Sequence, residues 1–147
     1  MAEKKIPYQS KEWVQKVVED TNASEKFRKS AKAMNDVHVY IVDDCPDGTD
    51  RISMYKFNKG EIVDWAWESR PHPFNDYQEI PFIKEATFVT TAPYYFYCKI
   101  NKKEIGAFKA LTSKEIKIQG SKTKMLRLIK PLQIWQDILG AVPTEYE

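Results

Sequence analysis

The sequence predicts an α+β fold, with a five-stranded, largely antiparallel sheet covered by helices. Three observations carry this. The chain opens with two stretches whose apolar residues recur at helical spacing. From Val37 the pattern becomes β-branched and aromatic, broken by turn formers. Helical spacing then returns after Pro93 and again after Gly120. At 147 residues the chain is of ordinary domain size, so one domain spanning 1–147 is expected, with residues 1–9 a flexible leader.

Ser10 can cap a first helix in which Trp13, Val14, Val17 and Val18 share a face and Glu12 suits the positive end of the helix dipole. Ser24 can cap a second, where Phe27, Ala31 and Met34 recur at spacings of four and three. Val37 to Val42 reads as a strand, and 43–50 as a turn. Ile52 to Phe57 and Glu61 to Glu68 read as two further strands joined by the tight turn Asn58-Lys59-Gly60. Val63, Trp65 and Trp67 fall on one face of the latter. The segment 69–85, with Pro71, Pro73 and Pro81, reads as an extended loop lying across the domain.

Ala86 to Thr91 is a fourth strand. Pro93 suits the first turn of a helix carrying Tyr94, Tyr95, Phe96, Tyr97 and Ile100, and Ile105 to Leu111 is a short helical stretch. Glu115 to Gln119 alternates as a fifth strand should. Ser121 can cap a long last helix, which Pro131 should kink or split because it lacks an amide hydrogen.

The 23 basic and 21 acidic residues leave a net charge of +2 and alternate along the chain, so no nucleic-acid partner is implied. No window approaches the run of about 18 apolar residues that a membrane span needs, and membrane contact is expected to be transient at most. Cys45 and Cys98, far apart and without ligand spacing, fit a reducing, cytoplasmic setting.

Chemical motifs mostly fail. His38 lies within a strand and His72 between two prolines, and no nucleophile elbow is present. Asp43, Asp47 and Gly48 match three positions of a calcium loop, but Cys45 and Met54 occupy two of its ligand positions, so a plain turn is the better reading. No metal is expected. Five glycines, none in a phosphate-cradling pattern, argue against nucleotide cofactors, and none is expected. What stands out is an aromatic and aliphatic surplus in the second half, the kind of lining an apolar pocket uses.

From Thr87 onward that half resembles the sterol carrier protein family, the type-2 non-specific lipid-transfer domain. Phe88-Val89-Thr90-Thr91 leads into Ala92-Pro93-Tyr94, as the family's strand leads through a Gly-Pro-Tyr-like turn into a helix, and Tyr97 stands where tryptophan is common. Ala110 falls on a usually small position. Ile116 to Ser121, followed by Met125 to Ile129, resembles the final strand, glycine turn and leucine-rich last helix, with Gly120 the best single match. Ala92 in place of the turn glycine, Lys114-Glu115 in place of Gly-Lys, and Ser121 in place of Asp are departures at turn and cap positions.

The resemblance implies a sheet covered by helices on one side, with an internal apolar cavity that accepts a fatty acid, a fatty acyl-CoA or a sterol-like lipid without chemistry. At about 0.8 kcal/mol per buried methylene, a long acyl chain supplies ample gross binding energy. The lining expected from position and apolar spacing is Phe88, Phe96, Ile100, Phe108, Leu111, Met125, Leu128, Ile129 and Leu132. Two rival readings are a protein-interaction or homodimerisation module with a filled cavity, and an enzyme on acyl or other apolar substrates with His72 or an acid in the Pro71 to Pro81 loop as base.

Overall fold

The computed structural model describes residues 4–147. The chain runs β1 (Ile6–Pro7), α1 (Lys11–Ala23), α2 (Glu25–Ser30), β2 (Val37–Asp43), β3 (Thr49–Asn58) and β4 (Glu61–Pro71). Two 3-10 turns, Tyr77–Glu79 and Pro81–Glu85, precede β5 (Phe88–Pro93), α3 (Tyr94–Asn101), α4 (Ala107–Leu111) and β6 (Lys117–Gln119). The chain closes with α5 (Lys122–Arg127), α6 (Ile129–Ala141) and β7 (Thr144–Glu145).

Local chemistry accounts for most boundaries. The Ser10, Ser24 and Ser121 hydroxyls accept hydrogen bonds from the N–H groups of Trp13, Phe27 and Lys124, each at 3.1 Å, and so open α1, α2 and α5. The last helix is split at Leu128. Pro131 is the third residue of α6 and has no N–H to offer the Arg127 carbonyl, so the helix restarts with Leu132 N–H bonded to the Leu128 carbonyl. α2 is shorter than its apolar spacing suggests, and Met34 reaches the core from the turn beyond it.

The five-stranded sheet has the order β4-β3-β2-β5-β6. β2, β3 and β4 form an antiparallel meander and β5 pairs β6 antiparallel, but β5 runs parallel to β2, so the sheet is mixed. The Pro-rich segment explains this. β4 points the same way as β2, so a chain leaving β4 for a parallel place beside β2 must travel back along the whole sheet. It does so across one face, where Ile80 is fully buried and Phe74, Tyr77, Phe82 and Ile83 pack on Val39, Ile41, Ile52 and Met54. Helices cover the opposite face, over the larger core that includes Trp13, Phe27, Tyr55, Phe57, Phe88 and Trp135.

Two expectations change. Residues 1–3 lie outside the described residues, but the rest of 1–9 is no flexible leader. Ile6–Pro7 pairs in parallel with Thr144–Glu145, and Tyr8 is 2% exposed, its hydroxyl donating to the Tyr97 carbonyl at 3.1 Å. Arg51 fastens this corner, donating to the Tyr8 carbonyl at 2.6 Å and to Glu147 at 3.0 Å. Second, Val63 does not share a face with Trp65 and Trp67. The β3–β4 register shifts at Lys56/Phe57, where Ile62 pairs with Phe57 and Asp64 with Lys56, so Val63 is the extra residue of a bulge and is exposed.

Gly120 turns the chain from β6 into α5 with a positive φ of 111°, and a Cβ there would stand 2.5 Å from the Thr87 carbonyl oxygen. The obstacle is backbone, so it cannot swing aside. Gly120→Ala is expected to lower stability by about 2 kcal/mol or more, read as a shifted urea midpoint at unchanged slope.

Candidate functional site

Between the helix-covered face of the sheet and helices α3, α4 and α6 lies a pocket of about 110 Å³. Its floor comes from the sheet. Ser53 of β3, Tyr40 of β2 and Thr90 of β5 are register partners in one row across three adjacent strands, and all three line the pocket. Strand alternation sends them to the helix side, while Val39 and Ile41 go to the other. Tyr8, Trp13, Tyr55, Tyr97 and Trp135 supply aromatic walls, and Ile100, Ala110, Leu111, Ile116, Met125, Leu132 and Leu139 aliphatic ones.

Polar groups in the lining are mostly committed to structure. Tyr97 donates to the Thr90 carbonyl at 2.9 Å, and Asn101 Nδ2 to the Tyr146 hydroxyl at 2.8 Å. Gln136 Nε2 donates to the Ile100 and Ile105 carbonyls at 2.8 and 2.9 Å, tying α6 to the α3–α4 connection. Burial pushes the Tyr8, Tyr40, Tyr55 and Tyr97 hydroxyls well above their ordinary range, so they remain neutral. No Asp, Glu, Lys, Arg or His among the described residues lines the pocket.

Of the nine lining residues expected from sequence, Ile100, Leu111, Met125 and Leu132 do line it. Phe88, Phe96 and Leu128 are buried in the surrounding core, and Ile129 is half-buried outside the lining. Phe108 is 58% exposed, because α4 turns Ala107, Ala110 and Leu111 toward the pocket and Phe108 away from it. Sequence reasoning missed Tyr8, Trp13, Tyr40, Ser53, Tyr55, Thr90, Tyr97 and Trp135. A signal existed for one of them, since Ser53 is a lone small hydroxyl residue between Ile52 and Met54 in a buried strand.

A second cluster lies apart from this pocket. His72 Nδ1 meets Asp50 Oδ1 at 2.8 Å and Asp43 Oδ1 at 3.2 Å. Asp50 is fully buried and also accepts the N–H groups of Asp44 and Phe74, both at 2.9 Å. Burial alone would raise the Asp50 carboxyl, yet those N–H groups and the imidazole hold it below its ordinary range. The Asp50 hydrogen bond in turn raises His72. Ligand atoms of Asp43, Asp50 and His72 lie within 4.8 Å of one another, and hydrogen bonding accounts for their closeness. The set anchors the start of the segment that covers the second face, and none of it lines the pocket.

No helix among the described residues is long and apolar enough to cross a membrane. No family model and no curated protein matches the sequence. The fold does match solved structures. A crystal structure of sterol carrier protein 2 aligns with a TM-score of 0.74 at 14% identity, over 92% of this chain and 98% of that one. A conserved hypothetical protein from Thermus thermophilus aligns at 0.75 and 14% identity, over 97% and 94%. Sterol carrier protein domain 2 of Helicoverpa armigera aligns at 0.51 and 13% identity, over 94% and 95%. In fold, this chain belongs with the sterol carrier protein 2 structures.

Proposed function

We propose that the protein binds an apolar, lipid-like small molecule in the pocket between sheet and helices and performs no chemistry on it. The observation that carries this reading is the lining itself: aromatic and aliphatic walls, a few hydroxyl groups, and no carboxylate, imidazole, lysine or arginine among the described lining residues. An acid–base reaction needs a group poised to exchange a proton within reach of the substrate; burial holds the lining tyrosines neutral, and the His72–Asp50 pair is not among the lining residues. Likeness in fold to sterol carrier protein 2 supports the same reading.

At about 110 Å³ the pocket is smaller than the ~150 Å³ engineered cavity that takes benzene, so a long chain requires it to widen. α4 is the wall suited to move, being five residues long with Ala110 its single fully buried side chain. Widening is then a shift toward an opened form that the ligand prefers.

The test is to fill the pocket. Ala110→Phe places a phenyl ring where the volume is comparable to a ring, at an overpacking cost of about 1–3 kcal/mol. Delipidated wild-type protein should take up a medium-chain alkyl ligand in a calorimetric titration, and the folded variant should bind at least about tenfold more weakly. Equal affinity in a variant with native circular dichroism would move the site elsewhere. Absence of uptake by the wild type, together with concentration-dependent sedimentation, would favour the interaction module.

A further inference from the structure

Three hydroxyl-bearing side chains stand in one transverse row on the pocket floor: Ser53, Tyr40 and Thr90. Ser53 is 2% exposed, and its Oγ has no hydrogen-bond partner among the described residues, although the Tyr55 hydroxyl lies beside it. Beside it on the same floor, Thr90 is bonded through its carbonyl to Tyr97 and the half-buried Tyr40 packs through its ring. A buried polar group without a partner is rare and calls for an explanation. Here Ser53 shares one wall with two more hydroxyl-bearing residues, in a pocket whose other walls are mostly apolar.

Charge sharpens the point. A carboxylate carried into this pocket would meet no cation, since no Lys, Arg or His among the described residues lines it, and an unpaired buried charge is strongly disfavoured. A hydroxyl or carbonyl group has no such penalty and can both donate to and accept from the row.

We infer that the occupant of this pocket is an uncharged molecule with an apolar body and one hydroxyl or carbonyl group, hydrogen-bonded to the Ser53–Tyr40–Thr90 row, and not a fatty acid anion or a coenzyme A ester held by its charge. The inference rests on the proposed ligand-binding function and narrows it to a chemical class. The apolar body lies against Trp135, Met125 and Leu132, and the polar end reaches the sheet.

The test uses 1-octanol and octanoate, matched in chain and differing in charge, titrated at pH 7.5 into the delipidated full chain. Octanol should bind at least about tenfold tighter than octanoate. Tyr40→Phe and Ser53→Ala should each weaken octanol by roughly threefold to tenfold, the span of a single hydrogen bond, and leave octanoate nearly unchanged. Octanoate binding as tightly as octanol would leave the ligand-binding function standing and overturn this inference, as would octanol affinity that ignores both substitutions. If neither probe binds, the pocket is not a ligand site, and function and inference fall together.

Discussion

Acidification from pH 7 to pH 4 is expected to remove about 3 kcal/mol of stability through a single side chain, His38. It is 1% exposed, set edge-on to Phe57 at 5.3 Å and tilted against Phe88 at 5.0 Å, and neither ring nitrogen has a hydrogen-bond partner among the described residues. Burial pulls its pKa down from 6.5 to about 4. Asp36 opposes the shift and Lys124 reinforces it, and those two are themselves ion-paired at 3.0 Å.

The sign follows from proton counting. Between pH 6.5 and about 4 the unfolded chain carries a proton on His38 that the native state refuses, so stability falls as pH falls through that window and levels off below it. Each pH unit in the window is worth about 1.4 kcal/mol. His72 acts oppositely. Its raised pKa gives stability that is full in acid and lost as pH rises through the raised value, so it cannot mimic the loss. Urea unfolding of wild type and His38→Leu at pH 7 and pH 4 separates the two. The variant should lose the His38 part of the acid sensitivity and be at least as stable at pH 7, since two unpaired polar atoms leave the core. An unchanged acid slope in the variant would assign the effect to other groups.

Trp135→Ala should be the most damaging single substitution, lowering stability by about 3–5 kcal/mol. The indole is 4% exposed and ties α6 to the sheet and to α1. It meets Tyr55 and Phe57 edge-on at 5.1 and 5.5 Å and Tyr40 at 5.7 Å on the sheet, while its Nε1 donates to Thr21 of α1 at 2.9 Å. Domains of this size have only about 5–15 kcal/mol in total, so a thermal midpoint about 10 °C or more lower is expected. Calorimetry with Trp135→Phe alongside checks this, as the smaller ring should retain part of the loss. A change under about 1 kcal/mol for Trp135→Ala would mean that the helices do not dock through this residue.

Much of the fold is legible in the sequence because it is written locally. The serine caps, the β-branched run from Val37 and the break upstream of Pro131 each need only a few neighbouring residues to be read. The β1–β7 pair is not, since two residues near one end choose two near the other and neither has a strand pattern. The Val63 bulge depends on register with β3, which composition does not encode.

The site is harder still to read. Apolar spacing selects Phe88 and Phe108 as readily as Met125 and Leu132, because residue type says that a side chain favours the interior and not which wall it joins. Phe108 lies on a helix of five residues, too short for its spacing to fix a buried face. Four of the six aromatic lining residues, Tyr8, Trp13, Tyr40 and Tyr55, come from the first half of the chain, where the sequence resemblance to the sterol carrier protein family is loose.

The most direct test of the central claim is a native mass spectrum of the purified full chain, followed by solvent extraction of what it carries. A near-stoichiometric adduct that extracts as an apolar molecule, and that is missing from folded Ala110→Phe prepared in parallel, is the predicted result. A bare polypeptide mass that stays bare after incubation with apolar ligands, octanol included, would contradict it.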